Sequence, residues 1–358
     1  MIESPLFYVT YFVLVFIFSN VINHLFLRFS RTLGMRRSSD AIRWSDTHKP
    51  AVGGIAFYII FLLSLTTASL FFNTPQFLIQ PEIIGLLAAC TIAFLIGLAD
   101  DAYDTHPVLK FSAQVLCAMV LIYSGIYIQI FDNIYLNYAL TMLWVVGLMN
   151  SINLLDNMDG IASIAVLGAL YTMISIVLIE KSHTTIFFLL MLGASSCILA
   201  FLLFNWHPAK IYMGDTGTQF LGLFLAALSI IFLWNGTSLS YSVIPETRII
   251  SAILTFALPI IDTTVVFCNR ILKGSSPFKG GKDHTTHNLF YLGLTEVQIA
   301  ILYTTYTAVC LSLVVMMNRF DTQWSSLYTL VGVSFLLLSM AAFFIITRVR
   351  KHEVQAVA

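Results

Sequence analysis

The sequence predicts an all-α fold, a polytopic membrane helix bundle with about eleven transmembrane helices, from two observations. Hydrophobic residues make up 58% of the 358 residues and charged residues only 10%, whereas soluble domains carry about 25% charged residues. The apolar residues gather in runs of roughly 17 to 25, the length that crosses the hydrocarbon core of a bilayer as a helix. The chain shows neither an internal repeat nor a low-complexity tract, and we treat residues 1–358 as a single integral-membrane domain.

The predicted spans begin close to the N-terminus. The first apolar run is too long for the core of a signal peptide, and no small-residue cleavage site follows it, so we expect it to be retained as a helix. The fifth run is short. We retain it as a span because, with one helix fewer, the excess of Lys and Arg would no longer fall on one side of the membrane. The predicted spans are residues 5–27, 51–73, 83–99, 108–124, 139–153, 160–179, 185–204, 216–234, 247–268, 296–317 and 326–347.

The distribution of Lys and Arg predicts the orientation, because cytoplasmic loops of membrane proteins carry an excess of both. With the loop 28–50 in the cytoplasm, only three of the 18 basic residues fall on the opposite side: Lys181, Arg248 and Arg319. The N-terminus is therefore expected outside and the C-terminus in the cytoplasm. The net charge of zero indicates no nucleic-acid partner. Every unusual polar stretch falls in or beside the predicted cytoplasmic loops, residues 28–50, 100–107, 154–160, 205–215 and 269–295.

The first polar stretch, "LIGLADDAYDTH", ends the third apolar run with Asp100, Asp101 and Asp104. If the helix continues, Asp100 and Asp104 share a face, since they are four residues apart. Like charges placed in this way repel unless a cation neutralises them or a pKa rises. The alternative is a solvated helix end, but three acids together at a membrane edge favour a site.

The second stretch, "NSINLLDNMDGIAS", spaces four polar residues by three, Asn150, Asn153, Asp156 and Asp159. On a helix these side chains form one drifting polar stripe at the end of the fifth span. Amide and carboxylate oxygens are hard ligands that suit Mg²⁺. An Asx-rich turn between two helices is the alternative interpretation.

The third stretch, "FNWHPAKIYMGDTGTQFLG", starts near Asn205, a candidate substrate-binding residue, and leads into the eighth span. Gly214 and Gly217 at the start of a helix would expose backbone N–H groups that suit a phosphate. Asp215 between them could cap the helix or bind a metal ion. The stretch taken alone favours the cap.

The fourth stretch, "FKGGKDHTTHNLFYLGLT", carries Lys282, His284 and His287 in a glycine-bearing loop. Two histidines three residues apart are a weak zinc signal, because zinc requires further ligands. The lysines beside them make the loop better suited to binding phosphate. The alternative is a basic cytoplasmic loop that only sets topology.

One acid, Asp262, is predicted inside the ninth span, in "LPIIDTTVV". An acid within a membrane span is costly and is usually functional or paired. It could brace the site from beneath or take part directly, and the sequence leaves both open.

These elements share one chemical explanation. Carboxylates alone would repel an anionic substrate, whereas carboxylates that hold Mg²⁺ attract a pyrophosphate. We therefore expect a magnesium-dependent site for a phosphorylated substrate on the cytoplasmic face, built from Asp100, Asp101, Asp104, Asp156, Asp159 and Asp215 with Lys110 nearby.

The four stretches together resemble the polyprenyl-phosphate N-acetylhexosamine-1-phosphate transferase family, and are closest in motif to its undecaprenyl-phosphate N-acetylglucosaminyl members. The resemblance runs from "THKPAVGGI" at residue 47 to "HNLFYLGLT", ending at residue 295. It implies that the aspartate-rich motif, with Asp100, Asp101 and Asp104, is catalytic. It also implies that Asn153 and Asp215 bind the metal.

The resemblance implies substrate-binding roles as well. Lys110 matches a lysine that contacts the phosphates, and Asp159 matches a position that recognises uracil. Two departures stand out: Thr285 and Thr286 separate the histidines, and Asn157 replaces a glycine found in many members. The first departure argues against a pentapeptide-bearing substrate. The complete set of expected substrate-binding residues is Lys110, Asp156, Asp159, Asn205, Lys282, His284 and His287.

The implied reaction moves a sugar 1-phosphate, foremost N-acetylglucosamine 1-phosphate, from a UDP-N-acetylhexosamine to undecaprenyl phosphate in the lipid bilayer of the inner membrane, releasing UMP. It is the first membrane step of cell-envelope glycan synthesis, and its cofactor is Mg²⁺, with Mn²⁺ as a substitute. A phosphate monoester has a second pKa of about 6 and is largely dianionic at neutral pH. Charge repulsion is therefore the main obstacle, and a one-step or a covalent two-step route stays open. A homodimer is compatible with the resemblance.

Two other classes remain alternatives. An intramembrane Mg²⁺-dependent prenyltransferase predicts two similar Asp-rich motifs and needs neither the Gly-Asp-Thr-Gly stretch nor the histidine loop. An ion-coupled transporter predicts acids near the midplane, broken helices and paired repeats.

Overall fold

The computed structural model describes residues 4–29, 49–71, 79–180, 185–236, 245–276, 281–319 and 326–356. These residues form helices and no β-strand, apart from an isolated bridge between Ala51 and Tyr212. The predicted all-α membrane bundle is confirmed. The helices are α1 Pro5–Phe29, α2 Gly53–Phe71, α3 Pro81–Tyr103, α4 Pro107–Tyr123, α5 Ile134–Leu155, α6 Ile161–Ile179, α7 Ile186–Asn205, α8 Gly214–Ser229, α9 Pro245–Thr255, α10 Ala257–Leu272, α11 Thr285–Tyr291, α12 Glu296–Arg319 and α13 Ser326–Ala356.

Each predicted span corresponds to a helix or a helix pair. Nine helices in the described part are long and apolar enough to cross a membrane, counting α8 with its π-helical continuation Ile230–Trp234. Helix α4 is shorter, with 17 residues. The fifth span is longer than expected, because Asn133 accepts a hydrogen bond from the Tyr135 N–H and caps α5 at an earlier residue.

The ninth span is broken, which the sequence analysis did not predict. Helices α9 and α10 meet at an angle of 74°. Pro259 has no N–H to donate to the carbonyl of Thr255, four residues earlier, and a proline ring clashes with that carbonyl. The helix therefore ends at Thr255 and restarts after Phe256.

Helix α8 lies at the centre of the bundle, packed against α2, α3 and α5. Two glycines let neighbouring backbones approach its first turn. A Cβ on Gly97 of α3 would lie 2.4 Å from the carbonyl oxygen of Asp215, and one on Gly54 of α2 would lie 2.2 Å from the Gly217 nitrogen. Small residues at helix contacts allow this approach in membranes. The start of α8, which carries Asp215, is therefore wedged between α2 and α3.

The outer helices differ from α8 in their exposure. Only 28% of the span of α1 and 11% of that of α13 is buried, against 94% for α8. Their exposed surfaces are apolar, as lipid-facing surfaces must be. Chemistry is therefore expected near α8 and not at the periphery.

Candidate active site

Four polar side chains from α3, α4, α5 and α8 meet at one end of the bundle, and we call them the acidic cluster: Asp100, Lys110, Asn153 and Asp215. The ammonium group of Lys110 lies 2.7 Å from Asp100 and 3.3 Å from Asp215. Asn153 donates a hydrogen bond to Asp215, and the same nitrogen donates to Thr218 at 2.8 Å. The structure thus brings together residues that are up to 115 positions apart in the sequence.

The end of α3 holds Asp100 in place. Its carboxylate accepts hydrogen bonds from the Thr105 N–H at 2.9 Å and the Thr105 hydroxyl at 2.5 Å, in addition to Lys110. The turn after α3 therefore fixes the carboxylate before any substrate binds.

Asp101 has a different setting from its neighbour. One of its oxygens accepts the N–H of Asp215 at 2.9 Å, and the other accepts the N–H of Thr216 at 2.8 Å and the Thr216 hydroxyl at 2.6 Å. Free N–H groups at a helix start are normally capped by a side chain next to them in sequence. Here the cap comes from α3, and it sets the position of Asp215.

Asp104 does not share a face with Asp100, because α3 ends at Tyr103. Asp104 adopts a left-handed conformation, with φ of 54°, and its N–H bonds to the carbonyl of Asp100. Asp tolerates this conformation better than most residues. The side chain of Asp104 is exposed to solvent.

The turn between α5 and α6 holds Asp159 through contacts with a distant loop. Its carboxylate accepts the N–H of Ala209 at 2.9 Å and lies 3.1 Å from His207 Nδ1 and 3.8 Å from Lys49 Nζ. His207 Nδ1 also lies 2.8 Å from Glu296. Ligand atoms of Asp159, His207 and Glu296 lie within 4.8 Å of one another, a spacing that could hold a metal ion. The sequence analysis did not single out His207 or Glu296 as site residues.

Two further candidates lie near this turn. Asp156 is the C-cap of α5 and is half-buried. Asn205 is buried, and its side chain accepts from the Gly160 N–H at 3.1 Å and donates to the Ile211 carbonyl at 3.0 Å. Through these contacts Asn205 has a structural role, because it joins the start of α6 to the loop before α8.

A second group, the histidine cluster, comprises Asp262, His284, Thr285, His287 and Tyr303. The buried carboxylate of Asp262 lies 2.8 Å from His284 Nδ1 and accepts the Thr285 N–H at 2.9 Å and the Thr285 hydroxyl at 2.5 Å. The Thr285 hydroxyl also contacts the Tyr303 hydroxyl at 2.6 Å. These contacts favour the bracing role of Asp262 over direct participation.

The two histidines lie on one side of the α11 turn, with ring centroids 5.5 Å apart. Burial, followed by the electrostatic effect of His284, lowers the pKa of His287 to about 4. His287 is therefore neutral at physiological pH. Lys282, just before the turn, is exposed.

Two contacts anchor the histidine cluster. Arg270 makes a two-pronged ion pair with Asp283, at 2.6 and 2.8 Å. Partial burial opposes ionisation of Asp283, but the Arg270 guanidinium outweighs it and holds the pKa of that carboxyl below its usual value. Thr286 donates to the Asn157 side chain at 2.6 Å, which links α11 to the turn after α5. Asn157, noted above as a departure from the common glycine, thus has a structural contact.

The acidic cluster offers ligands that suit a divalent cation. Asp100 and Asp215 supply carboxylates, and Asn153 supplies an amide whose oxygen and nitrogen exchange places by a simple flip. Hard oxygen ligands of this kind favour Mg²⁺ over zinc. The residues present therefore fit a magnesium ion, with Lys110 as the nearest positive charge.

Comparison with known proteins bears on the stretch that holds this cluster. Residues 83–233 match the model of glycosyl transferase family 4. The chain is similar to this family over that segment. The matched segment contains all four residues of the acidic cluster, whereas the histidine cluster follows it. The family resemblance inferred from the four polar stretches is thereby confirmed.

Individual relatives agree with this assignment. A probable undecaprenyl-phosphate N-acetylglucosaminyl 1-phosphate transferase of Bacillus subtilis is 29% identical over 294 residues, covering 79% of this chain and 77% of that protein. A decaprenyl-phosphate N-acetylglucosaminephosphotransferase of Mycobacterium leprae is 29% identical over 279 residues, covering 72% and 70%. A phospho-N-acetylmuramoyl-pentapeptide-transferase of Streptococcus uberis is 35% identical over 202 residues, but covers only 51% and 58%.

Proposed function

We propose that the protein transfers N-acetylglucosamine 1-phosphate from its UDP derivative to a membrane polyprenyl phosphate and releases UMP. The observation that carries this proposal is the acidic cluster, a lysine held between two carboxylates and an amide at one end of a membrane bundle. The relatives that cover most of the chain are named for N-acetylglucosamine phosphate transfer to polyprenyl phosphates. The similarity to glycosyl transferase family 4 favours this reaction over the prenyltransferase and transporter alternatives.

The proposed chemistry is attack by a phosphate oxygen of the lipid on the sugar-bearing phosphorus. A new oxygen–phosphorus bond forms, the bond to the bridging oxygen of the diphosphate breaks, and UMP leaves with that electron pair. Lys110 supplies positive charge where negative charge accumulates, which lowers the barrier electrostatically. Asp100, held by Thr105, orients the acceptor or removes its remaining proton.

Magnesium is part of the proposal, with Asp215 and Asn153 as its main protein ligands. When bound, the ion would neutralise the diphosphate and weaken its repulsion of the acceptor phosphate. Asp101 serves this site indirectly, since its contacts hold the N-terminus of α8. Asp104 faces solvent, and we assign it no part in the chemistry.

The nucleotide is proposed to lie between the two clusters. His284 and His287 bind the diphosphate, and Asp262 fixes the ring of His284. Asp159 and Lys49 form a polar surface beside the turn after α5, suited to the nucleoside part. Asp156 and Lys282 are proposed to bind substrate at the edge of this region.

The activity is tested directly with purified protein, radiolabelled UDP-sugars and polyprenyl phosphate, by measuring labelled lipid and released UMP. We expect both products with UDP-N-acetylglucosamine, and neither after chelation of divalent cations. Asp100→Asn should lose most activity, whereas Asp132→Asn, an exposed acid between α4 and α5 at the other end of the bundle, should not. Absence of labelled lipid with every UDP-sugar would overturn the proposal.

We also propose that the site faces the cytoplasm, with the N-terminus outside, because the basic residues gather on that side. A cysteine placed at Ser276, shortly after the end of α10, should be labelled only after the membrane is permeabilised. Labelling in intact cells by an impermeant reagent would reverse the orientation.

A further inference from the structure

Three amide side chains form a layer inside the bundle, and we call Gln114, Asn150 and Gln219 the amide layer; Asn150 is half-buried. Gln114 and Gln219 are 1% and 0% exposed. Gln114 Nε2 donates to the Gln219 side-chain oxygen at 2.9 Å, and Asn150 Nδ2 donates to the Gln114 oxygen at 2.8 Å. The layer therefore joins α4, α5 and α8 by side-chain hydrogen bonds.

Each member of the layer lies one helical turn from a residue of the acidic cluster. Gln114 follows Lys110 by four residues, Gln219 follows Asp215 by four, and Asn150 precedes Asn153 by three. Residues at these spacings are neighbours on one face of a helix. The amide layer is thus the next polar level toward the membrane interior, directly beneath the cluster.

The direction of these hydrogen bonds is fixed at one end. Asn150 Nδ2 also donates to the carbonyl of Val146 at 2.8 Å, so its amide cannot be flipped without losing that bond. The oxygen of Gln114 must then face Asn150, and its nitrogen must face the oxygen of Gln219. This order leaves Gln219 Nε2 without a partner among the residues that the structure describes.

The amide layer contains a buried donor without a partner in the described part of the chain, Gln219 Nε2, which reduces what the layer contributes to stability. A buried donor without a partner is costly, and apolar residues of the same shape often replace a buried polar pair at no net cost. Asn and Gln side chains within membrane spans hydrogen-bond across helices and so hold the helices against one another. The main effect of the layer is therefore to hold α4, α5 and α8 against one another.

We propose that Gln114, Asn150 and Gln219 are positioning residues for the proposed transfer reaction, on which this inference rests. Their hydrogen bonds fix the relative register of α4, α5 and α8 one turn below the reacting groups. A shift of α8 by one residue moves it by about 1.5 Å along its axis and turns it by about 100°. Such a shift would take Asp215 away from Lys110 and Asn153.

The decisive variant is the double substitution Gln114→Leu with Gln219→Leu. Both partners of the Gln114–Gln219 bond become apolar together, and Asn150 keeps its hydrogen bond to the Val146 carbonyl, so the thermal unfolding temperature should stay close to that of the wild type. We expect kcat to fall about tenfold while the KM for the UDP-sugar stays within about twofold, since the loss concerns the alignment of reacting groups. Gln114→Leu alone should lose as much kcat as the double variant, because every side-chain hydrogen bond of the layer includes Gln114.

A matched control uses a hydrogen bond between α5 and α8, two of the three helices that the amide layer joins. The Trp144 indole donates to the Ser229 hydroxyl at 2.8 Å, joining α5 and α8 near the far end of α8. Ser229→Ala removes this bond, and it should leave kcat and KM unchanged.

A second measurement does not depend on turnover. Titration of purified protein with Mn²⁺, followed by electron paramagnetic resonance, should show about tenfold weaker binding in the double Leu variant and unchanged binding in Ser229→Ala. If Mn²⁺ binding falls in this way but the wild type forms no labelled lipid, the proposed function fails and the positioning role stands. Wild-type kcat and wild-type Mn²⁺ affinity in the double variant would overturn the positioning role.

Discussion

The contacts of Asp101 lead to a prediction that separates a helix cap from a catalytic carboxylate. In Asp101→Asn, an amide oxygen turned toward Thr216 keeps the hydrogen bonds to its N–H and hydroxyl. The bond from the Asp215 N–H is lost, because the amide nitrogen now faces it. In Asp101→Ala all three hydrogen bonds are lost.

The magnitudes follow from the number of bonds removed. A hydrogen bond to a charged group contributes about 1.5 to 3 kcal/mol to stability. We expect Asp101→Asn to lower the free energy of unfolding by about 2 kcal/mol and Asp101→Ala by about 5 kcal/mol. Because the asparagine still holds Thr216, Asp215 stays near Lys110, and the variant should keep at least about a tenth of the wild-type kcat, a barrier increase of about 1.4 kcal/mol.

The assay combines thermal unfolding of the purified protein in detergent with kcat for labelled lipid. The control is Asp132→Asn, an exposed acid outside the site, which should match the wild type in both measurements. If Asp101 instead acted directly on substrate or metal, Asp101→Asn would unfold at the wild-type temperature while kcat fell about a thousandfold, or about 4 kcal/mol in barrier. That combination would refute the cap.

Three more predictions concern the two clusters. Asp215→Asn is nearly isosteric and should leave thermal unfolding unchanged. It should reduce labelled lipid below about 1% of wild type, because about 2.7 kcal/mol of electrostatic stabilisation of the transition state is lost. Near-normal turnover at limiting Mg²⁺ would show that Asp215 has no role in metal binding and only a structural role at the start of α8. His284→Ala and His287→Ala should each lower kcat/KM for the UDP-sugar roughly 100-fold, which corresponds to about 2.7 kcal/mol. The measurement is steady-state kinetics at saturating acceptor. Wild-type parameters in both variants would mean that the loop sets membrane topology through its basic residues and does not bind the donor. The pKa of His287 is about 4 in the folded protein against an ordinary 6.5. Between these pH values the unfolded chain binds a proton at His287 that the folded protein does not bind. The free energy of unfolding therefore falls by up to about 3 kcal/mol as the pH drops from 6.5 to 4. Thermal unfolding across this range should show a smaller loss in His287→Gln, and equal losses in both proteins would contradict the lowered pKa.

The sequence predicted the features that depend on local patterns, namely the length of the apolar runs and the regular spacing of polar residues. The helices of the bundle follow from runs of apolar residues, since a bilayer requires continuous helices of fixed length. Asp100, Lys110, Asn153 and Asp215 were all singled out from their motifs and meet in the structure.

Other features depend on contacts between distant segments, which local spacing does not report. The sequence treated Asp101 as equivalent to Asp100, but α8 approaches α3 in such a way that only Asp101 reaches its free N–H groups. The contact of His207 with Glu296 joins residues nearly ninety positions apart. Neither could be derived without the packing of the bundle.

Two features could have been found from local signals. Pro259 within the ninth apolar run indicates a break four residues earlier, where the structure has it. Asp104 precedes a Thr-His-Pro sequence, and a residue shortly before proline marks the end of a helix more often than its continuation. The expectation of a shared Asp100–Asp104 face overlooked this signal.

The anchoring of the histidine cluster has a consequence for how the donor substrate binds. Arg270 holds Asp283 on one side of His284, and Asn157 holds Thr286 on the other. The start of α11 is therefore preorganised, and under the proposed function little conformational entropy remains to be lost when the nucleotide binds. Under the proposed function, donor substrates that differ only in their sugar would meet the same rigid diphosphate-binding site, and discrimination among sugars would arise elsewhere in the protein.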